Sequence, residues 1–210
     1  MFNNFSPNML KTYQLCPKKF YYKYLEGINI PQSILPFEKG KKIHALANYF
    51  LKGVNISRIE TALSESEKEI WQELLNNEYF KKDTLKSEYQ ISCKVSDFWI
   101  GGRLDAVVHD YENYYILDYK TGSIPKNPQY DYQTMVYLLS LDRVLKSYET
   151  LSFVYIDLKH GKNCVIGFND KLKTEYENQI EKICQEINSD TLYKKNCTSC
   201  ERCEFKGYCR

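Results

Sequence analysis

The 210-residue sequence lacks the segments that mark membrane or secreted proteins. No apolar run approaches the roughly 20 residues that a membrane-spanning helix needs. The N-terminal stretch MFNNFSPNMLKTYQ has neither the charged start nor the apolar segment of a signal peptide. We therefore expect a cytoplasmic protein without membrane contact, in which structural disulfides are rare.

A strong net charge is also missing, because 29 basic residues face 27 acidic ones and leave a net charge of +2. Nucleic-acid binding would therefore require a local patch. Residues 1–25 offer one, since they combine lysines with tyrosines and phenylalanines and contain no acid. Lysines pair with phosphates and aromatic rings stack on bases, which suits a single strand. An amphipathic helix with a solvated lysine face would give the same pattern.

Repeats, low-complexity segments and long linkers are absent too, and the length suggests one domain. Ser6-Pro7 and the capping box of Ser64 with Glu67 indicate helix starts in the first part of the chain. Later segments rich in β-branched and aromatic residues predict strands. The predicted helices span residues 7–26, 37–51, 64–75, 130–145 and 169–188, and the predicted strands 89–95, 98–108, 114–120, 151–158 and 164–168. This order predicts a mixed α+β domain around a central mixed sheet.

Two stretches contain carboxylates whose positions a catalytic role would explain. In ILDYKTG, Asp118 and Lys120 share one face of a strand, although an isolated pair of this kind is commonly a surface ion pair. In GGRLDAVV, Asp105 interrupts an apolar run, where a carboxylate is costly unless it is paired or metal-bound. A hairpin can bring Asp105 beside Asp118, and a divalent cation would relieve their repulsion. With Lys120 assisting a water, this outlines a site for phosphodiester hydrolysis.

Further segments complete an ordered set of motifs. They are SPNMLKTYQLCPKKFYYKYL, GKKIHALANYF, IGGRLDAVV, the Asp118-x-Lys120 pair and YQTMVYLL. In this order they resemble the PD-(D/E)XK nuclease superfamily, and within it the RecB-like branch. The similar members there are CRISPR-associated exonucleases and AddB-type nuclease domains that carry an iron–sulfur cluster. The resemblance runs through most of the chain.

The resemblance implies a restriction-endonuclease-like core, with N-terminal helices and a C-terminal cysteine region, in a single nuclease domain over residues 1–210. It implies that His44, Asp105 and Asp118 are the ligands of Mg²⁺ or Mn²⁺. It further implies that Lys120 assists the attacking water.

The resemblance also makes Gln133 and Tyr137 catalytic-site residues that support the acids or touch the DNA. Without it, His44 would be a core or boundary histidine, and the other two the face of a helix with a buried tyrosine. Glu88 could assist the metal or be a strand-edge charge, and it stays outside the predicted set. His109 and His160 are predicted to be surface residues.

Four of the eight cysteines lie in the last segment, CTSCERCEFKGYC. Four thiolates in thirteen residues are compact for zinc and closer to iron–sulfur ligation, so one hypothesis has Cys197 and the three later cysteines binding locally. The resemblance implies another set, in which Cys16 joins Cys200, Cys203 and Cys209 around a 4Fe–4S cluster. Residues 1–26 and 190–210 then form the cluster region together and Cys197 is spare. The cysteines predicted to lie in the core are Cys93, Cys164 and Cys184.

Taken together, these motifs predict a metal-dependent DNA nuclease that acts as an exonuclease on single-stranded ends. Its setting would be DNA repair and recombination or CRISPR spacer acquisition. The alternatives are a non-catalytic iron–sulfur module that binds DNA ends, and a nuclease subunit active only beside a helicase. The sequence contains no G-x-x-x-x-G-K-[ST] phosphate loop, so any motor would be a separate polypeptide. The predicted partners are therefore single-stranded DNA ends and a separate helicase or CRISPR adaptation proteins.

Overall fold

The structure is a computed structural model that describes residues 2–30, 35–196, 200–201 and 203–209. Its helices are α1 (Pro7–Leu15), α2 (Pro17–Phe20), α3 (Leu35–Leu51), α4 (Ser57–Thr61), α5 (Glu65–Asn76), α6 (Tyr132–Val144) and α7 (Asp170–Ser189). Its strands are β1 (Asn4–Phe5), β2 (Asp83–Val95), β3 (Phe98–Asp110), β4 (Asn113–Lys120), β5 (Thr150–Asp157) and β6 (Lys162–Gly167). Cys197, the predicted spare cysteine, lies outside the described residues.

One mixed sheet joins all six of these strands, with β3 at the branch point. β2 runs antiparallel to β3 along nearly its whole length. The other edge of β3 is shared, because β1 pairs in parallel at Trp99 and Ile100 whereas β4 pairs antiparallel from Ala106 to Asp110. β4 continues into a parallel pair with β5, and β6 closes the sheet antiparallel to β5. Between the two partners, β3 residues 101–105 leave a gap in which β4 has separated from β3.

Helices cover both faces of this sheet. On one face α1, α6 and α7 pack around a core that includes Leu10, Leu138 and Ile116. On the other, α3 and α5 pack around a core that includes Trp71 and Leu117. Adjacent β4 residues thus enter opposite cores, as strand alternation requires. Within the described part of the chain, no helix combines the length and apolar content that a membrane span requires.

The predicted α+β order is confirmed, including the capping box, in which the Ser64 N–H donates to Glu67 Oε2 at 2.8 Å. The prediction of one continuous first helix was wrong at Cys16. Its extended backbone (φ −164°, ψ 108°) ends α1, because the residue before a proline is driven out of the helical region, here by Pro17. A π-helical turn, Tyr21–Leu25, then extends α2. The short elements β1 and α4 were not predicted.

The two ends of the chain pack against each other. The Phe2 N–H donates to Asn188 Oδ1 at 2.8 Å, and Asn188 Nδ2 donates back to the Phe2 carbonyl at 2.9 Å. Further along, Lys19 Nζ lies 2.9 Å from Glu204 Oε2. The last described segment, residues 203–209, therefore contacts the N-terminal helices through direct protein contacts.

Candidate active site

His44, on α3, lies in the gap between β3 and β4. Its Nδ1 is 3.0 Å from Asp105 Oδ1, and its Nε2 is 3.0 Å from the carbonyl oxygen of Tyr119. A carbonyl only accepts, so Nε2 carries a hydrogen and Nδ1 is the nitrogen that faces the carboxylate. Burial lowers the pKa of His44, but the hydrogen bond and charge of Asp105 outweigh it, and the net pKa is raised.

Asp105 lies on β3, and its carboxylate is held by β4 on one side and by α3 on the other. Its Oδ2 accepts the Tyr119 N–H at 3.0 Å, while Oδ1 faces His44. The last β3–β4 pair, Ala106 with Leu117, lies just beyond it. The carboxylate thus uses a backbone donor that β4 no longer shares with β3, so local topology places the acid.

Glu88 joins this pair from β2. Its neighbour Ser87 pairs with Ala106 and Tyr89 pairs with Leu104, so Glu88 lies opposite Asp105. Its backbone is left-handed (φ 47°), a conformation that costs a non-glycine residue on the order of 1–2 kcal/mol. One ligand atom from each of Glu88, Asp105 and His44 lies within 4.8 Å of the others, the only such group of three or more potential ligands among the described residues.

Side-chain alternation reverses at this position on β3. Leu104 packs in the core beneath α6, whereas Ala106, two residues on, packs in the core beneath α5. Regular alternation would put both on one face. The reversal lies at Asp105, which turns its carboxylate toward His44 and Glu88 instead of into either core.

Asp118 belongs to a neighbouring network with Lys120 and Gln133. Its side chain is buried; Gln133 Nε2 donates to Oδ1 at 2.6 Å, and Lys120 Nζ lies 2.7 Å from Oδ2. Lys120 Nζ also donates to Gln133 Oε1 at 3.2 Å. Burial, reinforced by the charge of Asp105, raises the pKa of Asp118 to about 6 against the opposing effect of Lys120.

Tyr137 lies one helical turn after Gln133 on α6 and contacts the backbone of β3. Its hydroxyl donates to the Arg103 carbonyl at 2.8 Å. A Cβ at Gly102 would lie only 2.8 Å from that hydroxyl, so the glycine of the IGGRLDAVV motif makes room for the tyrosine. Tyr137 therefore contacts the β3 backbone two residues before Asp105.

An open cavity of about 720 Å³ gives access to this group. It is lined by Gly40, Lys41, His44, Ala45, Asn48, Glu88, Arg103, Asp105 and Thr121. At its rim Arg103 Nε pairs with Glu88 Oε2 at 2.8 Å. The lining mixes cations with the acidic group, an arrangement that can receive a phosphate beside a cation.

The four cysteines that the resemblance groups together line a second cavity, of about 550 Å³. They are Cys16, Cys200, Cys203 and Cys209. A single zinc ion, with Zn–S bonds of about 2.3 Å, would hold its sulfurs about 3.8 Å apart. No three cysteine sulfurs in the described residues lie within 4.8 Å of one another. The described sulfurs are therefore not gathered as closely as a single zinc ion would hold them.

The other predictions for cysteine and histidine residues are confirmed only in part. Cys93 and Cys184 are buried core residues, as predicted, whereas Cys164 is only half-buried. His160 is exposed, as predicted, and pairs with Asp157 at 2.7 Å. His109 is half-buried and stacks on a neighbouring tyrosine.

Comparison with known proteins decides the family. The PD-(D/E)XK nuclease superfamily matches residues 4–94 and 80–210. The chain belongs to the PD-(D/E)XK nuclease superfamily. Among curated proteins, none matches the chain significantly.

Solved structures support the same fold. A candidate exonuclease from Eubacterium rectale superimposes with a TM-score of 0.60 over 99% of this chain and 88% of that one, at 13% identity. That likeness shows the restriction-endonuclease-like fold, a mixed sheet flanked by helices. The protein SSO0001 superimposes with a TM-score of 0.43 at 16% identity, over 99% of this chain and 85% of that one.

PD-(D/E)XK nucleases use divalent metal ions, and the residues present fit one. His44, Glu88 and Asp105 supply one nitrogen and carboxylate oxygens, a donor set that suits Mg²⁺ or Mn²⁺. In the described residues, the buried Asp118 Oδ2 has no well-oriented hydrogen-bond donor, only the Lys120 ammonium at ion-pair distance. Glu88 is the acid that the sequence prediction left out. Its one signal was an acid just before the alternating strand YQISCKV.

Proposed function

We propose that the protein is a metal-dependent deoxyribonuclease that degrades single-stranded DNA from its ends. The observation that carries this proposal is the meeting of His44 and Asp105 beside the Asp118–Lys120–Gln133 network, in a superfamily of nucleases. His44, Asp105 and Asp118 are the proposed ligands of Mg²⁺ or Mn²⁺, and Glu88, whose carboxylate meets His44 and Asp105, is proposed as a further ligand. Such an ion, when bound, neutralises phosphate charge and lowers the pKa of water.

Lys120, Gln133 and Tyr137, which surround the acids, have different proposed roles. The Lys120 ammonium can only donate, so its role is to orient water or stabilise charge on a phosphate oxygen. Gln133 bonds both Lys120 and Asp118 and so fixes the position of each relative to the other. Tyr137 positions the strand that carries Asp105.

The N-terminal helices support a preference for single strands. Lys18 Nζ lies 4.6 Å from the ring centre of Tyr21 and 5.1 Å from that of Tyr22, and both rings are partly exposed. Aromatic rings beside ammonium groups can stack on bases while the lysines contact phosphates. Lys18 and these two rings are therefore accessible in the folded chain, whereas Lys11 pairs with Asp131 and Lys19 with Glu204.

The cysteine-lined cavity supports a 4Fe–4S cluster held by Cys16, Cys200, Cys203 and Cys209. In this proposal residues 1–210 form one nuclease domain, in which residues 1–26 and 190–210 together make the cluster region. Thiolate ligands require a reducing compartment, which fits the cytoplasm. DNA repair and recombination or CRISPR spacer acquisition would be the setting, with a separate helicase or adaptation proteins as partners.

The test is hydrolysis of end-labelled single-stranded DNA by anaerobically prepared protein with Mn²⁺. We expect nucleotides to be released from one labelled end, and Asp118→Ala and Lys120→Ala to slow release at least about 100-fold. Comparing 5′ and 3′ labels gives the polarity. Equal hydrolysis by wild type and both variants would refute the proposed site. Binding without hydrolysis would favour the non-catalytic module, and hydrolysis only with an added helicase would favour the dependent subunit.

A further inference from the structure

The β2–β3 hairpin extends beyond the active site with only one face covered. Its inward side chains, among them Ile91, Cys93, Ile100 and Leu104, are buried. The opposite face, which we name the hairpin face, consists of Gln90, Ser92, Lys94, Trp99, Gly101 and Arg103. These residues pair across the ladder as three rows, and all of them except the glycine are exposed.

Trp99 distinguishes this face from an ordinary solvated surface. Its side chain is 49% exposed, whereas Trp71, the other tryptophan, is 1% exposed and lies in the core. The hairpin face carries two cations, Lys94 and Arg103, and no acid. An accessible indole among cations and neutral polar groups suits a polyanion that has flat rings.

The surface around Trp99 is recessed. A cavity of about 350 Å³ lies there, bordered by Asn4, Gln90, Ser92, Trp99 and Gly101 among others. A side chain at Gly101 would collide with the Ile91 carbonyl and approach Ser92 Cβ to 2.6 Å. On the hairpin face the strand therefore carries no side chain between Trp99 and Arg103, and the path between them stays open.

Arg103 connects the hairpin face to the active site. It belongs to the face and also lines the active-site cavity, where its guanidinium pairs with Glu88. Asp105 follows two residues later on the same strand. At a rise of about 3.3 Å per residue, the six steps along the strand from Trp99 to Asp105 span about 20 Å. The face leads directly into the acidic group.

We propose that the hairpin face is a binding track for single-stranded DNA, with Trp99 stacking on a base and Lys94 and Arg103 contacting phosphates. The inference rests on the proposed function, since it identifies the path of the same substrate. With nucleotides at least about 3.4 Å apart, the track holds at most about six of them. Continuity with the active site and a face that carries Lys94 and Arg103 but no acid of its own fit a nucleic-acid strand as the occupant; Glu88, the partner of Arg103, lies at the active-site end of the face.

The test is binding of a fluorescein-labelled twelve-residue oligothymidylate, followed by anisotropy with divalent ions chelated. We expect Trp99→Ala to weaken binding roughly 5- to 150-fold, the range for loss of one stacked base. Trp99→Phe keeps a ring and should stay much closer to wild type. Tyr111→Ala is the matched control, because Tyr111 is 89% exposed in the turn at the opposite end of β3.

Tryptophan fluorescence gives a second readout that a structural role would not move. Unlabelled oligothymidylate should quench the wild-type emission and leave the emission of Trp99→Ala unchanged, since Trp71 is buried. Wild-type affinity in Trp99→Ala, or no quenching of wild type, would overturn the track. If DNA is still hydrolysed in that case, the track alone fails. Trp99-dependent binding without hydrolysis would support the track and refute the proposed function.

Discussion

Glu88 lies opposite Asp105 on the β2–β3 ladder, and their carboxylates share a group of potential ligand atoms with His44. Two features of this arrangement are unfavourable in the protein alone. Glu88 has a left-handed backbone inside a strand, and its carboxylate lies near that of Asp105, with Arg103 and His44 as their respective partners. Both become useful if a cation binds between them. Strained backbone conformations such as that of Glu88 cluster at functional sites.

Glu88→Gly should therefore separate stability from metal binding. Glycine adopts the left-handed backbone freely, so we expect the free energy of unfolding in chelator to rise by about 1 kcal/mol. Loss of the carboxylate should weaken Mn²⁺ binding at least about tenfold, as measured by calorimetry.

Tyr111→Gly is the control for Glu88→Gly, because Tyr111 also has a left-handed backbone (φ 54°) but lies in an exposed turn. It should gain similar stability and keep full Mn²⁺ affinity. Unchanged Mn²⁺ affinity in Glu88→Gly would remove Glu88 from the ligand set.

The role of Glu88 illustrates what the sequence alone can predict. The strands were predictable because apolar and polar residues alternate in segments such as YQISCKV, and the acids because Asp105 interrupts an apolar run. The reversal of alternation at Asp105 and the backbone of Glu88 depend on where β4 leaves β3. That is a tertiary relationship between segments more than ten residues apart. Local patterns do not contain it.

The same limit applies to short elements. β1 has two residues, and its pairing with Trp99 and Ile100 depends on a segment almost 100 residues away. The break at Cys16 was in principle readable, because a proline follows it, but the surrounding helical periodicity outweighed that signal. For Gln133 and Tyr137 the four-residue spacing predicted a shared helix face. Only the structure shows that Gln133 contacts Asp118, whereas Tyr137 contacts the Arg103 carbonyl.

Gly102 and Tyr137 should be energetically coupled. Gly102→Ala places a methyl group against the tyrosine hydroxyl and should lower the free energy of unfolding by about 1–3 kcal/mol. Tyr137→Phe removes the hydroxyl and leaves the Arg103 carbonyl without its donor, at about 1 kcal/mol.

In the double variant the alanine should cost at least about 0.5 kcal/mol less than it does alone, measured by urea unfolding. Gly167→Ala is the control, since a Cβ there meets nothing within 4 Å. If alanine at position 102 costs the same with and without the tyrosine hydroxyl, the two residues are not coupled as the structure indicates.

The capping box of α5 predicts a pH dependence of stability. Glu67 Oε2 accepts the Ser64 N–H at 2.8 Å, and Oε1 pairs with Lys42 at 3.0 Å. The backbone hydrogen bond from Ser64, followed by Lys42, lowers the pKa of Glu67 from its ordinary 4.5 to about 2. Because the folded pKa is the lower one, the stabilisation is present above pH 4.5 and is lost as the pH falls toward 2.

Glu67→Ala should therefore lower the free energy of unfolding by about 1 kcal/mol at pH 7, and the difference should shrink progressively below pH 4.5. Urea unfolding across this range measures it. Glu69→Ala, at an exposed position on the same helix, should leave the free energy of unfolding almost unchanged across the whole pH range. A deficit in Glu67→Ala that is constant down to pH 2 would contradict the ionic origin of the cap.

The cysteine-lined cavity indicates which residue would complete the proposed 4Fe–4S cluster. Cys16 is at the break between α1 and α2, where its sulfur accepts the Asn196 N–H at 3.3 Å and lines one cavity with Cys200, Cys203 and Cys209. Its backbone there is extended, so the residue belongs to neither helix.

Cys16→Ala should therefore abolish most of the iron and acid-labile sulfide bound per chain, whereas Cys197→Ala should retain both in anaerobically prepared protein. Cys164→Ala, on β6, controls for the loss of a thiol elsewhere. The contacts between the chain ends that involve Phe2 and Asn188 do not depend on the cluster, so the iron-free variant should still fold. Iron retained in Cys16→Ala and lost in Cys197→Ala would reverse the assignment in favour of the local four-cysteine set.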